Sequence, residues 1–397
     1  MKILHITKDD FSGAGLCCMR IHKSLLEIGI DSKVIVERKR NKVDGVYQYG
    51  HYRQLLYRAI NKLLRKVGIT HSDYNEMLKL SEKTHVPYTL PTSKVDLSKH
   101  PLVKEADVIH LHWVNGYVDY PSFFATINKP IVWTLHDENL FYGISQYSNS
   151  YNPDNSLEIK YNSIKINSLK QIKNLAVIFL SNYLYNKFAD NSRIKDASKY
   201  IIHNSVDCSI FKPKDKLAVR NRLGIGNDTI VLLFMAYMIT DPRKGLVTLL
   251  KAVKILGGNI KILAVGITEG FEDEKLITTG LITDVSEMSD IISAADYFVM
   301  PSQQEAFAQT PLEAMACGIP AIVFPVSGTE ELIQDINGVR CEGFALDDLL
   351  NGLRKAFSKK YDANEIRMYV KKEFSPSTIA GQYVSVYKDM VTRGNII

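Results

Sequence analysis

The sequence predicts an α/β fold: two open parallel-sheet, Rossmann-like domains facing a central cleft. Three observations carry that expectation. Short apolar runs alternate with helical stretches along most of the 397 residues. The first run feeds a glycine-bearing loop and then a helix. A second series of the same kind starts near residue 230. Strand, glycine turn, helix and strand in that order open a doubly wound sheet.

Residues 2–7 read as a buried strand, followed by Ser12-Gly13-Ala14-Gly15 and a helix from Leu16 to Ile28. Residues 33–36, 107–112, 131–135, 175–180 and 200–202 read as further strands. Each ends in polar or glycine-bearing sequence, as buried parallel strands do where they feed loops. In the second series 229–236, 260–265, 297–300 and 321–324 read as strands, and 244–256, 285–294 and 311–316 as helices. The boundary is expected near 205–215. This gives a domain over 1–207, a domain over 208–374, and a helix in 375–397 that crosses back to the first. Ligands of such sheets bind beyond the carboxyl ends of the strands.

Composition excludes several classes. Hydrophobic residues make up 46% of the chain, enough for real cores. Five cysteines with no CxxC pair argue against a disulfide scaffold or a cysteine zinc site. The net charge of +6 is too small to imply nucleic acid by itself. No apolar run reaches the length of about 18 that a membrane span needs. The start lacks the apolar core of a signal peptide, so a cytoplasmic chain is expected.

Two segments carry chemistry. Glu305 and Glu313 stand eight residues apart, one in a loop after a strand and one in the helix that follows. The N–H groups between them lie at a helix start, which favours an anion. Pro311 suits the first helical turn because it has no N–H to satisfy. The plainer reading is a solvated loop glutamate and a helix glutamate favoured by the dipole. Asp241-Pro242-Arg243-Lys244-Gly245 also lies between a strand and a helix. Its two cations suit a diphosphate, Arg by forked bonds and Lys as a point charge, or else form an ordinary basic loop.

Pro301-Ser302 through Glu305, then Glu313-Ala314-Met315-Ala316-Cys317-Gly318-Ile319-Pro320 and Gly328-Thr329-Glu330-Glu331-Leu332, resembles the retaining nucleotide-sugar glycosyltransferases of family GT4. Their fold is GT-B. His110-Leu111-His112-Trp113 and Trp133-Thr134-Leu135-His136-Asp137 are similar to the bacterial polysaccharide-assembly members. The resemblance implies roles. Glu305 would contact the donor hexose, Glu313 the ribose, and Lys244 the diphosphate. Gly13 and Gly15 would lie in the glycine loop, with Gly15 near the diphosphate. His136 would approach the transferred sugar. Ala306, Phe307, Ala308, Gln309 and Thr310 would supply backbone donors. Ala306 and Ala308 stand where glycine is frequent, and Tyr237 stands at or near a usual arginine, which Arg243 is the candidate to replace.

The implied activity is transfer of a hexose from a UDP- or GDP-sugar to a glycan or polyprenyl-linked saccharide, with no cofactor and no bound metal. His110 and His112 share a strand face, a pair that more often packs than binds zinc. The alternatives are a silent nucleotide-sugar-binding protein and a UDP-sugar epimerase. From Lys33 to Lys66 there are ten Lys or Arg and two acids. Within it, 52–67 places Leu56, Ala59, Ile60, Leu63, Leu64 and Val67 at helical spacing beside cations. That pattern fits a helix on an anionic membrane, at the inner face of the cell membrane, or one with its apolar stripe in the core. Residues 138–160, rich in Tyr, Asn and Ser, read as a mobile loop over the acceptor or an exposed insertion.

Overall fold

The computed structural model describes residues 1–66, 72–84, 86–305, 307–326 and 328–394. Val67 and Ala306 therefore lie outside the described residues. The chain divides into two compact units. The first holds 1–180, 184–202 and 380 onward; the second holds 181–183 and 203–379.

The strands of the first unit are β1 (Lys2–Asp9), β2 (Asp31–Arg38), β3 (Val46–Gln48), β4 (Val108–Leu111), β5 (Ile131–Leu135), β6 (Leu175–Phe179) and β7 (Ser198–Ile201). They form one parallel sheet in the order β3-β2-β1-β4-β5-β6-β7. The second unit has β8 (Ile230–Met238), β9 (Ile260–Ile267), β10 (Leu276–Gly280), β11 (Tyr297–Met300), β12 (Ala321–Val323) and β13 (Gly338–Arg340). Their order is β10-β9-β8-β11-β12-β13, again parallel. Both are the Rossmann-like sheets expected of a GT-B chain. In each the strand order reverses once, between β1 and β4 and between β8 and β11. Loops leaving such a pair diverge and open a crevice.

β3, β10 and β13 are additional to the strands read from sequence. β3 and β13 have three residues each. Leu276-Ile277-Thr278-Thr279-Gly280 lies half-exposed at a sheet edge. Strands that short or that polar leave little periodic signal.

Helix α1 (Gly13–Glu27) begins where Ser12 accepts from the N–H of Gly15 at 3.3 Å. Asp9 at the end of β1 in turn accepts from the N–H of Ser12 at 2.8 Å. A Cβ on Gly15 would lie 2.3 Å from the Asp9 carbonyl oxygen. Gly15 therefore permits α1 to start against β1. Gly13 faces open space.

Helix α2 (His51–Lys66) is inverted relative to a core helix. Its buried residues are Gln54 and Asn61. Leu55, Leu56, Ile60 and Leu63 are exposed, Leu56 and Leu63 to 63% each. The core-stripe alternative is thereby removed. Gln54 donates to the Gly116 carbonyl at 3.1 Å, and Asn61 accepts from Ser72 at 2.7 Å. Arg58 points inward, at 2.6 Å from Glu37, whose side chain is fully buried.

Residues 138–160 correct the surface-loop expectation in part: 148–149 and 151–154 are exposed, but other stretches are not. Asn139, Leu140, Phe141, Ile144, Leu157 and Glu158 are buried. The Glu158 carboxylate accepts from the N–H groups of Gly143, Ile144 and Ser145 and from the Ser145 hydroxyl. Four donors on one buried carboxylate hold a polar segment inside the unit.

The two loop glycines make a matched test. Gly15→Ala should destabilise the chain by about 1–3 kcal/mol, the usual cost of forcing atoms into a filled site. Gly13→Ala should leave the urea midpoint within the error of the wild type. Equal effects would remove the close-packing role of Gly15.

Candidate functional site

In the second unit the chain leaves β8 through a short turn, Pro242–Lys244, capped by Asp241, which accepts from the N–H of Arg243 at 2.9 Å. Gly245 follows at φ +80°, a conformation glycine adopts without strain. A Cβ there would lie 2.2 Å from the carbonyl oxygen of Pro301, just past β11. The N–H of Gln303 donates to the Arg243 carbonyl at 2.9 Å. So the loops after β8 and β11 run backbone against backbone at the reversal of strand order.

That contact brings Lys244 to Glu305, Nζ to Oε1 at 2.5 Å. Both side chains are mostly covered, at 29% and 17% exposure. Arg243 is turned away into a forked pair with Asp241, the closest contact 2.7 Å. Phe307 and Ala308 are buried, and the Phe307 ring stacks on His203 at 5.3 Å. Gln309 precedes the helix Thr310–Ala316 and gives it no side-chain cap. Glu313 lies buried in the first turn of that helix. Lys244, Glu305 and Phe307 to Glu313 thus occupy the two strand exits at one reversal point. Tyr237 is exposed.

In the first unit, histidines run from the middle of β1 to the exits of β4 and β5. His5 on β1 is in register with His110 on β4. His5 Nδ1 lies 3.0 Å from His112 Nε2, and His112 Nδ1 lies 3.1 Å from His136 Nε2. His110 instead contacts Thr134 at 2.8 Å and the Tyr387 hydroxyl at 2.7 Å. Burial lowers the pKa of all four; that of His136 falls to about 4. At neutral pH the chain of imidazoles is uncharged.

Neutrality fixes its proton order. Each bond needs one N–H and one lone pair, so all protons run in the same direction. His5 Nε2 is buried and has no partner among the described residues. Protons running toward His5 would leave a buried N–H there without an acceptor, at a cost of about 1–3 kcal/mol. A bare lone pair is the lesser defect. The order is therefore His5 to His112 to His136, and His136 carries its proton on Nδ1. His136 presents a neutral donor.

His5, His110 and His112 also bring one ligand atom each within 4.8 Å of one another. Five of their six ring nitrogens are engaged in the contacts above. A metal ion would have to displace them, so the geometry fits a hydrogen-bonded chain. Beside it, burial raises Asp137 to about 6, against bonds from Trp113 and the Asn139 N–H. Lys165 is fully buried and lowered to about 7, donating to the Asn139 carbonyl at 2.6 Å. Sequence reasoning missed His5 as part of the site. Its place in the first strand, five residues into the chain, was the available signal.

Residues 215–373, most of the second unit, match the family model of the glycosyl transferases group 1. An uncharacterized glycosyltransferase of Methanocaldococcus jannaschii is 25% identical over 309 residues, 72% of this chain and 76% of that protein. A D-inositol 3-phosphate glycosyltransferase of Geodermatophilus obscurus is 30% identical over 183 residues, 40% of each chain. Among solved structures, Anabaena HepE in complex with UDP and glucose superposes with a TM-score of 0.64 at 17% identity. That likeness covers 98% of this chain and 99% of the other, and it concerns the fold.

Nitrogen-15 spectra of the histidine rings test the proton order. His5, His112 and His136 should each show Nδ1–H, the minor tautomer of free imidazole, at neutral pH. The His136 ring should stay neutral down to about pH 4, where an ordinary histidine protonates near 6.5. In that window the unfolded chain takes up protons that the folded chain does not, so stability should fall as pH drops from 6.5 to 4. An Nε2–H signal from His136 would reverse the assignment.

Proposed function

We propose that this chain, a GT-B protein related to the group 1 glycosyl transferases, is a retaining hexosyltransferase. It moves a sugar from a UDP- or GDP-linked donor to a glycan or lipid-linked saccharide in surface glycoconjugate synthesis. The observation that carries the reading is the Lys244–Glu305 pair at the exits of β8 and β11. A cation and a carboxylate far apart in sequence are held together where such sheets take their ligands.

In this reading the donor diphosphate takes the Lys244 ammonium and separates the pair. Glu305 is then released to accept from the hexose hydroxyls. Glu313 holds the ribose, and the N–H groups of 307–310 meet phosphate oxygens. Charge builds on the leaving diphosphate as the bond to the sugar breaks, and Lys244 and these N–H groups stabilise it. Retention follows the same-face course that the family resemblance implies, with the leaving phosphate taking the acceptor proton. His136 donates from Nδ1 to the transferred sugar. Arg243, committed to Asp241, is a weaker candidate for the diphosphate than Lys244. HepE, solved with UDP and glucose, supports a nucleotide-sugar donor.

The outward face of α2 favours a membrane-bound acceptor. No helix among the described residues is long and apolar enough to cross a membrane. Leu55, Leu56, Ile60 and Leu63 instead form an exposed apolar strip with Arg53, Lys62 and Lys66 exposed beside it. Such a helix lies in the interface plane with its cations at anionic headgroups.

Glu305→Gln should lower turnover roughly 10–100-fold, from the loss of charge-assisted bonds of about 1.5–3 kcal/mol, and leave UDP or GDP binding unchanged. Lys244→Ala should weaken donor and nucleoside diphosphate together and spare the nucleoside. A purely structural ion pair predicts lower stability in both variants with ligand affinities intact. A panel of UDP- and GDP-sugars completes the assay. Released nucleoside diphosphate supports transfer, while interconversion of the sugars supports an epimerase.

Changing Arg53, Lys62 and Lys66 to glutamate should abolish sedimentation with anionic vesicles, since each basic residue contributes about 1 kcal/mol there. Transfer to a small soluble acceptor should persist. Wild-type binding that is absent, or indifferent to salt, would remove the membrane contact.

A further inference from the structure

Behind α2 the first unit contains a cavity of about 600 Å³. Four cations line it: Lys8, Arg38, Arg58 and Lys94. They come from four different elements, the ends of β1 and β2, the inner face of α2, and the loop before β4. The two lining carboxylates are already occupied. Asp73 takes Lys160 at 2.5 Å and the Tyr161 hydroxyl at 2.6 Å. Asp119 caps a helix through the N–H of Ser122 and also accepts from the N–H of Ser93.

Three of the cations are tied to neighbouring groups and keep further N–H donors. Arg38 gives one Nη to Asp9 at 2.6 Å, while its Nε is buried with no acceptor among the described residues. Arg58 gives one Nη to Glu37 at 2.6 Å. Lys8 gives one hydrogen to the Asn115 carbonyl at 3.1 Å and lies over the Trp113 ring. The hydroxyl of Thr89, a lining residue, is buried with no partner among the described residues. Burial lowers Lys8 to about 8; Glu37 and Asp9 oppose that shift, while Arg58 and Arg38 add to it. A buried group of this kind is costly unless something accepts from it. Four tyrosines share the rest of the wall with Met77, Leu90 and small polar residues, and the Tyr57 and Tyr74 rings lie 5.5 Å apart.

We propose that this cavity binds a phosphate-bearing saccharide, with the phosphate at Lys8, Arg38 and Arg58 and the sugar ring against Tyr57 and Tyr74. Phosphate fits because it offers several acceptor oxygens to donors converging from separate elements, two of them guanidinium forks. The volume is that of a small-molecule site. Tyrosine faces suit the C–H face of a hexose, and exposed Lys94 places its Nζ 5.6 Å from the Tyr57 ring centroid. The inference deepens the transferase reading by naming its acceptor class, an anionic saccharide. The inner face of α2 then lines the acceptor cavity while its outer face carries the apolar strip.

Calorimetric titration of the full chain with hexose 1-phosphates of glucose, galactose and mannose tests it. At least one should bind ten times more tightly than both its methyl glycoside and inorganic phosphate. Arg58→Lys, which keeps a charge on Glu37 but loses the fork, and Lys94→Gln should each weaken that binding about tenfold. Thermal melts confirm that both fold. Lys244→Ala should bind the same hexose phosphate as the wild type does, which separates this cavity from the donor site. A phosphodiester of that sugar with a farnesyl chain identifies the source. Tighter binding assigns a lipid-linked acceptor, and equal or weaker binding a soluble sugar phosphate. Three results overturn the proposal: no hexose phosphate preferred over its methyl glycoside, inorganic phosphate binding as tightly, or both cavity variants behaving as wild type. Absence of UDP and GDP binding in the same series would sink the donor reading and leave this one standing.

Discussion

The carbonyl oxygen of Pro301 occupies the space that a Cβ on Gly245 would need. Much of the second unit's chemistry follows from that contact. β8 and β11 are adjacent and parallel, so their loops leave the same edge of the sheet. Only a glycine lets the two loops touch backbone to backbone, and only then does the Arg243 carbonyl reach the N–H of Gln303. Lys244, one residue before the glycine, is thereby aimed at Glu305. A mostly covered carboxylate needs a cation or several donors, and Lys244 supplies the cation. The helix Leu246–Leu256 starts from the same glycine and buries Leu246, Leu249 and Leu250. Its position is set by the contact that sets the site.

The first unit solves a similar problem with imidazoles. In-register pairing of β1 with β4, and of β4 with β5, brings His5, His110 and His112 together at the centre of the sheet and delivers the chain to His136. These rings are buried among apolar side chains, where a charge would be expensive, so they stay neutral and satisfy one another. The C-terminal helix Pro376–Gly394 takes part. Tyr387 meets His110, and Tyr383 meets Thr134 at 3.1 Å. His110 is thus occupied on both nitrogens and cannot join the chain that runs through His112. Tyr387 and Thr134 together keep His110 out of the path to His136.

Much of this was legible in the sequence, for identifiable reasons. The buried parallel strands are continuous apolar runs, and their glycine-bearing exits mark the loops. Glu305, Glu313 and Lys244 follow strands directly, so strand assignment alone puts them at sheet edges. What the sequence hid depends on partners distant along the chain. Arg243 has its partner Asp241 two residues away, but nothing near Lys244 says that it will reach Glu305, 61 residues on. The composition of 138–160 resembles a surface loop, and only Glu158, several residues after the N–H groups it binds, makes burial possible. The cavity behind α2 was hidden for the same reason. Its cations come from elements with unrelated local sequence, and one of its walls is a helix whose pattern suits either a core or a membrane.

For α2 the competing energies decide the orientation. Turning its apolar strip inward would cover Leu55, Leu56, Ile60 and Leu63, each worth about 1.5–3 kcal/mol if moved from full exposure to full burial. Parts of these side chains are already covered, so the gain is a fraction of that. The same rotation would pull Arg58 from Glu37, a carboxylate with no exposure of its own. Removing the partner of a buried charge costs about 3–5 kcal/mol, less here because Arg58 retains some contact with water. Gln54 would leave the Gly116 carbonyl and Ser93, and Asn61 would leave Ser72. Each buried polar group so stranded costs about 1–3 kcal/mol more. The polar side prevails because its partners are fixed and buried, whereas the apolar side has only the prospect of partial further burial. An ion pair beneath the helix therefore holds hydrophobic residues in water, and a membrane surface would relieve that exposure without disturbing the pair.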